Sequence, residues 1–195
     1  MASHVNSVVR GCFFQLRQLR SVQRSLTCDA KKVIVHAFVA SKIDYCNSLL
    51  YGTTERAPHP MQVVLNAAAR LVVGASRRDH ITPILRELHW LSIRQRILYK
   101  MAVLAFHCIH QSAPTYLSEM FTSTADVPGR CHLRSAHRGE VVVPRTFTKR
   151  YGPRSFRSAG PTVWNSLPCE LRDKEITLSM FGRKLKTFLF SQAFS

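Results

Sequence analysis

The sequence predicts a mainly α-helical protein: a bundle of about five to six helices, then an extended basic arm with room for one short β-hairpin, then a C-terminal helix. Three observations lead there. Apolar residues recur at three- and four-residue steps through the first 121 positions. Caps and stops punctuate those runs at helical lengths, and beyond Thr122 the texture changes to prolines, glycines and short β-branched runs. Two domains follow from that change of texture, a helical one over 1–121 and an arm plus C-terminal helix over 122–195.

Taken in order, Val5 to Arg24 sets Val5, Val9, Cys12, Phe13, Leu16 and Leu19 on one side of a helix. Arg10, Arg17 and Arg24 drift only slightly around the other side, with Arg20 beside them. Thr27 and Asp29 supply a cap and a first-turn acid for a second helix, from about Ala30 to Tyr51, which Gly52 ends. Val33, Ile34, Val35, Phe38, Val39, Ile43, Tyr45, Cys46, Leu49 and Leu50 leave this helix little polar surface. It is therefore predicted to be the central core helix, with His36 a hydrogen-bonded core histidine.

Thr53 to Pro60 reads as a loop. A third helix runs from about Met61 to Val73 with Val64, Leu65, Ala68, Leu71 and Val72 inward. The Ala67-Ala68-Ala69 run allows close helix approach, and Gly74 closes it. Arg77, Arg78, Asp79 and His80 form the next connection. Thr82-Pro83 opens a short helix to about His89, with Trp90 and Leu91 as a wedge. Ser92 and Gln95 have the S-x-x-Q spacing of a capping box, so a helix starts near Ile93. Its inward side is Ile93, Ile97, Met101, Leu104 and Cys108, and Arg96, Lys100, His107 and His110 share a narrow arc elsewhere. Pro114 opens another short helix through Phe121.

Leu133 to Pro168 interleaves Arg145, Lys149, Arg150, Arg154 and Arg157 with Phe147, Tyr151 and Phe156, the pattern of an extended arm. Phe156 and Trp164 read as hydrophobic pegs that anchor it, and Tyr151 as an exposed aromatic among cations. A final helix, about Leu178 to Phe190, has Phe181, Leu185, Phe188 and Leu189 on its apolar side.

Charge is the strongest global signal. The 28 Lys+Arg against 11 Asp+Glu give +17 over 195 residues, an excess that repels itself unless an anionic partner is present. The expected partner is RNA or DNA, held mostly through the phosphate backbone by Arg10, Arg17, Arg20, Arg24, Arg77, Arg78, Arg96, Lys100, Arg145, Arg150 and Arg154, with Tyr151 able to stack. No run of 18 residues is free of charge and the N-terminus alternates arginine with apolar residues, so neither a membrane span nor a secretory signal is expected. Cys12, Cys28, Cys46, Cys108, Cys131 and Cys169 are scattered and read as reduced thiols of an intracellular protein, nuclear or cytoplasmic.

The chemistry of two-metal phosphoryl transfer needs paired carboxylates, whereas Asp29, Asp44, Asp79, Asp126 and Asp173 are dispersed. Cys108, His110, Cys131, His132 and His137 lack the spacing of a zinc site. Nucleophilic triads, P-loops and dinucleotide fingerprints find no match, so no catalytic residue, cofactor, metal or small-molecule substrate is expected.

Several stretches carry a resemblance: Asp44-Tyr45-Cys46-Asn47-Ser48-Leu49-Leu50-Tyr51-Gly52, Val64-Leu65-Asn66-Ala67-Ala68-Ala69-Arg70-Leu71-Val72, Asp79-His80-Ile81-Thr82-Pro83 and Leu88-His89-Trp90-Leu91. Together with Val143-Pro144-Arg145-Thr146, Tyr151-Gly152, Trp164-Asn165-Ser166-Leu167-Pro168 and the Phe181 to Phe190 helix, they resemble the C-terminal region of reverse transcriptases of non-LTR (LINE-type, jockey-like) retrotransposons. The resemblance spans nearly the whole chain, in order. It departs at Ser92, where the family tends to have proline, and in the loop Thr53 to Pro60, which lacks the usual helix-opening pattern. It implies a thumb-like helical region and the domain after it, which lie against template and primer, without the family's catalytic Asp-Asp motif, fingers, palm or endonuclease. Three expectations follow: a nucleic-acid-binding remnant of an RNA-directed DNA polymerase, a polymerase in its own right, or a truncated fragment with no selected function or protein interaction alone. A Met1 inside a helical pattern fits truncation, and the missing carboxylates argue against the polymerase.

Overall fold

The computed structural model describes residues 2–129, 131–149, 151–173 and 175–194, apart from the side chain of His137. The chain is mainly helical and carries the C-terminal helix. It divides into two compact units, Met1–Ile97 with Phe190–Ser195, and Leu98–Leu189. The division falls inside the helix Ile93–Ile109, not at 121/122 where the composition changes. Composition marks where the periodic pattern stops. The division follows packing instead, and the second half of that helix packs with residues far downstream.

The first unit begins with α1 (Ala2–Val22), which buries Val5, Cys12 and Leu16. Thr27 caps α2 (Cys28–Val35), its Oγ1 accepting the Ala30 N–H at 3.2 Å. α2 passes through a π turn at His36–Ala40 into α3 (Ser41–Asp44). The helix thus ends well short of Tyr51. Cys46 takes a left-handed conformation (φ 53°), and local side chains compete for backbone and for each other: the Ser41 hydroxyl donates to the Ala37 carbonyl, and Asn47 Nδ2 to Asp44 Oδ1 at 3.3 Å.

Nor is this helix the central one. It buries Val35, Val39, Ala40 and Ile43 and leaves Val33 and Phe38 exposed, as are Tyr45 and Leu49 beyond its end, while His36 faces solvent instead of the core. Hydrophobicity on every side fixed no packing on every side, because the π turn re-phases the stripe toward one set of neighbours. The central position belongs to α4 (His59–Val73), which buries Met61, Val64, Leu65, Ala68, Ala69, Leu71 and Val72. Its alanines allow the close approach that larger residues would forbid, and Gly74 (φ 74°) terminates it in the left-handed region.

α5 (Ile81–Glu87) packs Ile84 and Leu85 on Ala69 and on Phe194 of the C-terminal helix, and Arg86 Nη2 donates to the Phe194 carbonyl at 2.9 Å. α6 (Ile93–Ile109) starts where expected but is capped otherwise. The Ile93 N–H donates to Gln62 Oε1 of α4 at 2.8 Å, and Gln95 Oε1 is buried without a hydrogen-bond partner among the described residues. The cap is tertiary, so the local S-x-x-Q spacing could not reveal it.

The second unit comprises residues 98–109 of α6, α7 (Thr115–Ser118), α8 (Arg134–His137), α9 (Phe156–Asn165) and the first part of α10 (Leu178–Phe194). Among the described residues the arm forms no hairpin strand; Ser123 and Val141 make one isolated antiparallel bridge. The β-branched run finds a side chain where a strand would lie. Asn165 Oδ1 accepts the Val141 N–H at 2.9 Å, and Asn165 Nδ2 donates to the Val141 carbonyl at 2.8 Å.

The stretch expected to be extended folds into α9 despite the internal Pro161, because Ala159, Val163 and Trp164 bury there. Gly160 is required by this packing: a Cβ would stand 2.6 Å from Phe121 Cζ. Trp164 is 1% exposed, its Nε1–H donates to the Gly139 carbonyl at 2.9 Å, and its ring lies near Phe106 and Phe181. Phe156 packs against Phe121, so both proposed pegs are seated.

Candidate nucleic-acid interface

A cation can grip a phosphate when its charge is not already neutralised, so the cationic residues sort by their partners. α1 contains no acidic residue, and Arg10, Arg17, Arg20 and Arg24 are exposed. Among the described residues none of the four pairs with a carboxylate. The helical period sets the faces within α1: with Val5, Cys12 and Leu16 inward, residues 10, 14, 17 and 21 point outward and Arg20 lies on the flank, while Arg24 follows in the 3-10 turn Gln23–Ser25.

Arg77 and Arg78 are exposed on a shaped loop. Asp79 Oδ2 accepts the Ser76 N–H at 2.6 Å, Ser76 Oγ accepts the Arg78 N–H at 3.3 Å, and Arg70 Nη2 donates to the Asp79 carbonyl at 3.1 Å. The thiol of Cys28 reaches the Val72 carbonyl at 3.9 Å. The start of α2 therefore meets the last turn of α4, the helix that leads into the Arg77–Arg78 loop.

Arg96 has another role. Its Nη1 lies 2.7 Å from Asp44 Oδ2 and its Nε donates to the Leu91 carbonyl at 3.0 Å, with the Arg96 side chain 16% exposed. It ties the start of α6 to the end of α3 and is removed from the phosphate-facing set. Of the arc around it, Lys100 is exposed, whereas His107 Nδ1 bonds Ser112 Oγ at 2.7 Å and His110 stacks on Phe106 at 3.9 Å. Burial, with His107 nearby, lowers the pKa of His110. Burial also raises the thiol pKa of Cys12, against an opposing pull from Lys42, and that of Cys108.

In the second unit Arg145 and Tyr151 are exposed and Arg154 is half-buried; Arg150 lies outside the described residues. A hollow of about 460 Å³ in this unit is lined by Glu119, Asp126 and Cys108 and, among the described residues, by no lysine or arginine. All six cysteines are free, and among the described residues no group of three His, Cys, Asp or Glu could hold a metal ion. No helix of the described residues is long and apolar enough to cross a membrane.

One feature escaped the sequence reading. The apolar period puts Phe13 on the core side and leaves Phe14 on neither, yet Phe13 is 38% and Phe14 57% exposed. The signal was present in the four- and three-residue steps that place Phe14 between Arg10 and Arg17.

No protein-family model, curated protein or solved structure matches the chain.

Proposed function

We propose that the chain is a nucleic-acid-binding remnant of a non-LTR retrotransposon reverse transcriptase, with no polymerase activity of its own, that holds RNA or DNA through phosphate contacts. The observation that carries this reading is α1 and the turn that follows it: Arg10, Arg17, Arg20 and Arg24 are exposed on a stretch without an acid. The ordered motif resemblance supports the origin. With about four to six phosphates neutralised, log K against log salt should have a slope of roughly −3 to −5, with little sequence preference. Fluorescence anisotropy across a salt series measures it. A flat salt dependence, or no binding at low salt, refutes the reading, and metal-dependent primer extension by the isolated chain refutes the absence of polymerase activity.

Exposed Val33, Phe38, Tyr45 and Leu49 favour a second reading, in which these apolar side chains pack on another protein. Phe38→Asp with Tyr45→Asp would then reduce self-association or partner capture and leave oligonucleotide affinity unchanged.

A further inference from the structure

We propose that the outward face of α1 prefers single-stranded nucleic acid to duplex, with Phe14 the platform on which an unpaired base stacks between phosphates held by Arg10 and Arg17. The inference rests on the phosphate-binding reading above and assigns the form of nucleic acid that reading leaves open.

Successive residues of a helix turn by about 100°, so Arg10, Phe14 and Arg17 fall within one narrow outward arc. At a rise of 1.5 Å per residue, Phe14 stands about 6 Å along the axis from Arg10 and about 4.5 Å from Arg17. Phe14 is 57% exposed, and the exposed Arg20 and Arg24 add positive charge farther along the chain. A single exposed phenylalanine is ordinary on a protein surface. A phenylalanine set between two arginines that lack acidic partners among the described residues, on a helix with no acid, has the components of a single-strand site: cations that track the backbone and a π face for a base.

Duplex bases already stack on one another and present the sugar–phosphate surface, so Phe14 gains little from a duplex. An unpaired base can lay its own face on the ring, while the guanidinium groups follow the phosphates on either side. An acidic protein segment would satisfy the arginines but has no comparable use for the ring.

The test uses the full chain, with labelled oligothymidylate and a blunt duplex of equal phosphate number, read by anisotropy at one low salt concentration. Phe14→Ala should weaken single-strand binding by roughly 5- to 100-fold, and Phe14→Tyr should retain it. Duplex affinity should stay within about twofold of the unsubstituted chain, since its contacts are to phosphates. The circular-dichroism melt should not fall, because the ring is mostly in solvent and alanine favours the helix. If the unsubstituted chain binds neither form, the phosphate reading fails and this inference with it. If it binds both and Phe14→Ala changes neither, or weakens both equally, the phosphate reading stands and the stacking assignment is overturned. A glutamate-rich peptide that competes as well as oligothymidylate of equal charge overturns it too.

Discussion

Replacing Trp164 by alanine tests how the C-terminal part of the chain is held together. The indole is 1% exposed, with its ring centroid 5.9 Å from Phe181 and 6.5 Å from Phe106, so the substitution opens a cavity that three elements line. A buried Trp→Ala change costs about 3–5 kcal/mol. The lost Nε1–H bond to the Gly139 carbonyl adds about 0.5–1.5 kcal/mol, the lower range because Gly139 is partly exposed and water can take the carbonyl. Together these come to about 3.5–6.5 kcal/mol, and at roughly 2–4 °C per kcal/mol for a chain of this size the melting temperature should drop by roughly 7–26 °C if unfolding is a single transition. Trp164→Phe keeps most of the ring volume and should cost about 1–2 kcal/mol. Calorimetry or circular dichroism reads both, and a Trp90→Phe background lets Trp164 fluorescence report alone. An emission spectrum of a water-exposed indole, or equal losses for Trp164→Ala and Trp164→Phe, would refute the reasoning.

Four more outcomes follow from the same structure. Gly11→Ala should stabilise the fold by about 0.5–1 kcal/mol, because a Cβ there meets nothing nearer than Lys42 Nζ at 3.9 Å; Gly160→Ala should destabilise it, because Phe121 blocks the methyl group. The lowered pKa of His110 means the unfolded chain takes up its proton first. Stability should therefore be lost as pH falls below about 6.5 and level off once folded His110 protonates, and chemical denaturation from pH 8 to 5 should show this component disappear in His110→Phe. Tyr151→Ala should weaken oligonucleotide binding by about 1–3 kcal/mol with little change in melting temperature, a comparison of titration and melting on one preparation. Arg96→Ala should lower stability by about 1–2 kcal/mol, discounted for the 39% exposure of the Asp44 side chain, and leave the salt slope of binding unchanged.

Local signals were legible wherever the interaction was local. Thr27 caps the helix it precedes and Gly74 ends α4, because a cap hydrogen bond and a positive φ involve residues within one turn. The apolar period located α1, α4, α6 and α10, since burial repeats with the backbone. Features set by distant residues were not legible. The Ile93 amide is capped by Gln62, 31 positions away, and Arg96 is engaged by Asp44, 52 positions away. The arm between Leu133 and Pro168 looked extended because prolines and glycines usually break helices. It folds because Trp164, Val141 and Asn165 give its backbone and apolar surface tertiary partners. Phe13 was misplaced for a geometric reason: it sits at the edge of the buried arc, where the period alone cannot decide between core and solvent.

The distribution of acids explains why one residue type has two fates in the first unit. Asp29 pairs with Lys32 at 3.2 Å, Glu55 with Arg94 at 3.4 Å, Asp44 with Arg96, and Asp79 is spent on the Ser76 N–H. The Lys32 and Arg94 pairs lie in solvent, where an ion pair is worth little and a phosphate can displace the carboxylate. The Arg96 pair is drawn inward and joined to the Leu91 carbonyl, so a phosphate would have to break a structural tie to reach it. α1 differs in kind, because no carboxylate was placed on it at all and its arginines carry their repulsion uncompensated along one face. That repulsion costs the isolated fold stability and is relieved when an anion lies along the helix or when salt screens the charges. A basic patch of this sort therefore differs from a salt-bridged surface in its response to salt: added ions should stabilise the free protein while weakening its hold on phosphate.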